Sequence, residues 1–69
     1  MLWLIIGNNS HEIISCNTCE RDGKHQIWVE RVNGKTLKVG ESENKQEITD
    51  IKEAIDFAIQ TGHKTLSLS

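Results

Sequence analysis

Apolar residues follow two different spacings along the chain, and the point where one gives way to the other divides sheet from helix. Leu2 to Ile6 is continuously apolar, as expected of a strand covered on both faces, and it ends in the turn cluster Gly7-Asn8-Asn9-Ser10. β-type residues resume at His11-Glu12-Ile13-Ile14-Ser15-Cys16, and Asp22-Gly23 supplies the next two-residue hairpin signal, so a second strand can reach Arg21. Two further β-type runs, residues 24–32 and 35–39, are joined by Asn33-Gly34, the strongest short-range hairpin signal because both residues tolerate positive φ. Residues 40–47 are polar and without period, which reads as an exposed loop. Beyond them Ile51, Ala54, Ile55, Ala58 and Ile59 fall at helical spacing, predicting an amphipathic helix over about residues 50–61. Thr49 or Asp50 can cap its start, and Gly62 sits where a left-handed C-cap belongs. Thr65-Leu66-Ser67-Leu68 alternates and predicts either a short fifth strand or a tail beside the sheet.

Two-residue turns set register, so the faces of this sheet can be written down. Around Asn33-Gly34, Val32 faces Lys35, Glu30 faces Leu37 and Trp28 faces Val39; around Asp22-Gly23, Arg21 faces Lys24, Cys19 faces Gln26, Asn17 faces Trp28 and Ile13 faces Val32. One face then gathers Ile13, Trp28, Val32, Leu37 and Val39, joined by Leu2, Leu4 and Ile6 if the first loop closes Ile6 against His11. The helix should cover that face. The other face gathers Trp3, Ile5, Ile14, Cys16, Ile27 and Val29, edged by Arg31, Thr36 and Lys38, and one helix cannot cover both. The expected fold is therefore α+β: a four-stranded antiparallel meander, one C-terminal helix on one face, and a single small domain over residues 1–69.

Composition adds limits. A chain of 69 residues buries only about 60% of its unfolded surface, so disulfides, metals or self-association each become candidates for support. The net charge of −2 argues against a general polyanion binder. No apolar run has membrane-spanning length, and the apolar start is too short and uncharged for a signal peptide, so a cytoplasmic location is expected. The two cysteines are expected as free thiols, one buried and one exposed.

Cys16 and Cys19 have the spacing of a zinc knuckle, and His25, His11 or His63 could add nitrogen ligands. Residues three apart in a straight strand point to opposite faces, however, with Cα atoms roughly 10 Å apart. Chelation therefore needs a bulge or loop between Cys16 and Lys24. No serine or cysteine stands at a recognisable nucleophile spacing from a histidine and an acid, so catalysis is not expected. Arg21, Lys24, Arg31, Lys35 and Lys38 gather on the central hairpins, where a β-ribbon could contact nucleic acid. Three strands followed by a helix are similar in outline to the arm-binding domains of phage integrases, without a shared residue motif. Acid groups instead cluster at Glu41, Glu43, Glu47, Asp50, Glu53 and Asp56, as in small phage-encoded inhibitors that meet a basic partner.

The expected function is a non-enzymatic interaction module, meeting a second copy or a protein partner through the uncovered face at Trp3, Ile5, Ile14, Ile27 and Val29. The alternatives are a nucleic-acid-binding accessory protein or a small zinc-binding domain.

Overall fold

The computed structural model describes residues 1–68. Strands β1 (Leu2–Ile6), β2 (Asn9–Arg21), β3 (Lys24–Arg31) and β4 (Thr36–Ser42) form an antiparallel meander, followed by helix α1 (Lys45–Gln60) and strand β5 (Thr65–Leu68). The last strand pairs parallel to β1, so the sheet is mixed and ordered β4-β3-β2-β1-β5. This is the expected α+β fold, with the alternating C-terminal segment taking the strand form rather than the tail.

Turn chemistry sets the first two hairpins. Gly7 has φ +60° at the first central position of the β1–β2 turn, the sign that a type II′ turn requires there, and Ile6 pairs with Asn9. The loop is tighter than the sequence suggests by two residues of register, which leaves the faces of β1 unchanged. Asp22 and Gly23 both have positive φ, as in a type I′ turn, and Arg21↔Lys24, Cys19↔Gln26 and Asn17↔Trp28 pair as expected.

Asn33-Gly34 behaves differently. Only Gly34 has positive φ, Arg31 N–H donates to the Lys35 carbonyl at 2.8 Å, and Gly34 N–H donates to the Arg31 carbonyl at 2.9 Å. The loop therefore spans Val32, Asn33 and Gly34, a type I-like turn closed by a left-handed glycine. Register moves by one, so Leu37 faces Val29 and Lys38 faces Trp28. A bulge at Val39 then returns Gly40 opposite Ile27. A second bulge, at Ile14, takes the β2–β3 pairing from Ile13↔Arg31 to Ser15↔Glu30.

These single-residue slips reassign the faces. Leu2, Leu4 and Ile13 share the helix side with Cys16, Ile27 and Val29, all buried, and Leu37 and Val39 pack beside them. Trp28 and Val32, expected under the helix, lie outside this core. Ile27 and Val29, expected on the uncovered face, are 0% and 1% exposed beneath α1 and available to no partner. A bulge cannot be read from apolar spacing, because it costs one residue of period without changing composition.

Helix α1 begins five residues before the expected start. Asn44 caps it by accepting from Gln46 N–H at 2.9 Å, and Ser42 Oγ accepts from Asn44 N–H and donates to Glu47 Oε2 at 2.7 Å. The apolar stripe accordingly reaches back to Ile48, buried with Ile55 and Ala58. At the other end Gly62, φ +75°, donates to Ile59 while His63 N–H donates to Ala58, the paired bonds of a Schellman motif. Helix α1 packs chiefly on β2, β3 and β4 and leaves the opposite sheet face without cover.

Candidate functional site

Strand alternation, corrected for the bulges, places Trp3 and Ile5 of β1, Glu12, Ser15, Asn17 and Cys19 of β2, Gln26, Trp28 and Glu30 of β3 and Lys38 and Glu41 of β4 on the open face. The face has two halves of different chemistry. Towards the Asp22-Gly23 turn it is polar and internally bonded. Gln26, only 7% exposed, is its hub: its Nε2 donates to Glu41 Oε2 at 2.7 Å, and its Oε1 accepts from Trp28 Nε1 at 3.1 Å and from the Cys19 thiol at 3.5 Å. Every polar group of the Gln26 side chain is thereby engaged, which is what a nearly buried amide needs. Lys24 and Lys38 approach the Glu41 carboxylate at 3.9 and 3.6 Å. The hydrogen bond from Gln26, helped by the two lysines, holds Glu41 below its ordinary pKa.

The other half is apolar at its centre. Trp3 is 44% and Val32 43% exposed, Ile5 is half-buried beside them, and a shallow depression of about 270 Å3 runs among Trp3, Ser10, Glu12, Arg31, Val32 and Asn33. Trp3 is thus placed where the sequence puts it. Ile14, 42% exposed, sits instead beside Met1, Ile59 and His63 at the C-terminal end of α1.

The structure adds Val32, Trp28, Gln26 and Glu41 to the face. Trp28 was hidden from sequence reasoning by the Ile14 bulge. The alternation of Gln26, Trp28 and Glu30 against Ile27 and Val29 is a polar-out pattern legible in β3 alone, and it favours the observed face.

The metal candidates do not converge. Cys16 lies under α1 opposite Val29, and Cys19 lies on the open face opposite Gln26, within one continuous strand. Burial, with Asp56 nearby, pushes the Cys16 thiol up to about 11. His25 pairs with Glu20 at 3.5 Å across the hairpin, as the register predicts. Among the described residues no three His, Cys, Asp or Glu side chains form a metal-holding group.

Of the basic candidates, Arg21, Lys24 and Lys38 share the open face, Lys35 is exposed beside the β3–β4 loop, and Arg31 borders the depression near Trp3. Glu41 stands between Lys24 and Lys38, which lowers the local positive potential that a phosphate backbone would need. A cleft of about 480 Å3 lies between the β2–β3 hairpin and one flank of α1, lined by Thr18, Glu20, His25, Lys45, Thr49 and Lys52. It carries both signs of charge, and Lys52 is already paired with Asp56. Among the described residues no helix is long and apolar enough to cross a membrane. Set against protein-family models, curated proteins and solved structures, the chain matches none, so the outline likeness to phage proteins gains no support.

Proposed function

We propose that the chain is a non-enzymatic interaction module that receives another polypeptide on the open face of its sheet. The observation that carries this reading is the apolar ridge of Trp3, Ile5 and Val32 on a face that no element among the described residues covers. A half-exposed Trp offers a large contact area at small cost in side-chain entropy, and Trp is the residue type most enriched at the energetic centre of interfaces. The bonded half of the face supports the same use. Gln26, Trp28 and Glu41 are already locked by their mutual hydrogen bonds, so a partner meets side chains that lose little freedom on docking. Self-association and binding of a different protein are both forms of this activity.

The test compares the native chain with Trp3→Glu and Val32→Glu. Both substitutions are on the exposed ridge and should leave the far-ultraviolet circular dichroism unchanged. Immobilised native chain should retain a defined protein partner, and each variant should lose at least tenfold in affinity, about 1.4 kcal/mol. Equal retention by the folded variants rules the open face out as the contact surface.

A further inference from the structure

The two edges of the sheet are not alike, and the difference points to a contact that the open-face reading does not contain. Strand β4 is blunted against further pairing: it carries the Val39 bulge, a glycine at position 40 and the Lys38–Glu41 ion pair. Strand β5 has none of these devices. It alternates Thr65, Leu66, Ser67 and Leu68 without Pro, Gly or charge.

Its main-chain directions follow from one hydrogen bond and the register. Trp3 N–H donates to the Lys64 carbonyl at 2.8 Å, and Trp3 pairs with Thr65 in the parallel ladder. In such a ladder the paired strand turns alternate residues inward, so Lys64 and Leu66 face β1. The N–H and C=O of Thr65 and Ser67 therefore point away from the sheet, where no described strand meets them.

We propose that β5 pairs antiparallel with β5 of a second copy, about a two-fold axis at Leu66. Thr65 and Ser67 of one chain then exchange hydrogen bonds with Ser67 and Thr65 of the other. Leu66 lies opposite its own counterpart in a non-hydrogen-bonded pair, the closer of the two antiparallel types. The alternation of faces is preserved, with Leu66 and Leu68 of both chains on the helix side and Thr65 and Ser67 on the open side. Lys64 falls opposite Leu68, so no like charges meet across the strands.

Packing favours the same partner. Leu66 and Leu68 touch the core but are only half-buried, because α1 lies mainly over β2, β3 and β4. A second β5 brings two leucines to that thinly covered flank. The two open faces become one continuous surface, with the Trp3–Ile5 ridges of the two chains separated by the paired β5 strands and their Thr65 and Ser67 side chains. So short a strand makes an interface well under the roughly 800 Å2 per partner of a stable complex, so the dimer is weak and exchanges quickly.

Amide hydrogen exchange and sedimentation equilibrium across a concentration series test this. The native chain should dimerise with rising concentration, and the Thr65 and Ser67 amides should gain protection in parallel. Ser67→Pro removes an outward N–H while sparing the bonds to β1, a position where edge strands tolerate proline. It should stay monomeric where the native chain and Ser67→Ala dimerise. A native chain that stays monomeric up to about 1 mM overturns the proposal. So does exchange at Thr65 and Ser67 that ignores concentration. Dimerisation that survives Ser67→Pro but not Val32→Glu assigns the contact to the open face instead.

Discussion

Gln26 shows how one polar side chain can be nearly buried on an otherwise open face without penalty. Its amide joins Glu41, Trp28 and Cys19, so removing any partner strands a group that has lost water. Glu41 gives this cluster a pH dependence whose sign is fixed. Its pKa is lowered in the folded chain from the ordinary 4.5, so its stabilising contribution is complete above that value and is lost as pH falls through the lowered folded value. The Trp28 indole N–H resonance should therefore hold steady from neutral pH to about 5 and shift below about 4.5. In Glu41→Gln that shift should vanish, and persistence of the full shift would mean that another carboxylate controls the indole.

At the scale of elements, ends matter more than middles. The polar stretch before α1 reads as loop by hydropathy, yet Ser42, Asn44 and Glu47 are joined by side-chain hydrogen bonds that start the helix early. Gly62 closes it in a conformation with φ +75°, which an L-residue with a Cβ adopts only under strain. Asn44→Ala and Gly62→Ala should each lower unfolding stability by about 1 kcal/mol in urea titrations, with the slope unchanged. The two are at opposite ends of α1 and share no partner, so the double variant should show their sum. The strands differ from the helix, since one surprise lies at the Val32–Gly34 loop but the other two are bulges inside strands, at Ile14 in β2 and at Val39 in β4.

The described residues pack a single core between the sheet and α1, and Cys16 is a reporter inside it. Cys16 is buried there, and Cys19 is exposed on the far face. A thiol reagent in excess should modify Cys19 at once and Cys16 only when the fold opens, because burial both shields the Cys16 thiol and, by raising its pKa, keeps it protonated while the chain is folded. Ile55→Ala, which removes a fully buried side chain at a cost of about 2–5 kcal/mol, should speed the slow phase and leave the fast one alone. Two thiols reacting at one rate would place Cys16 outside the core. Strand and helix identities, the Asp22-Gly23 turn and the helix stop at Gly62 were legible from the chain, because each depends on residues within a few positions of one another. The candidate face was legible in Trp3 and Ile5, whose strand precedes every bulge, and in the alternation of Gln26, Trp28 and Glu30 within β3, but not in how the strands align with one another. Which side of the sheet received Trp28, Ile27 and Val29 was decided in three dimensions, where a one-residue bulge in β2 and a three-residue loop after β3 let α1 cover aliphatic side chains and left both indoles outside. With a side-chain period of two, a single inserted residue exchanges the two faces, and sequence spacing carries no record of where that insertion falls.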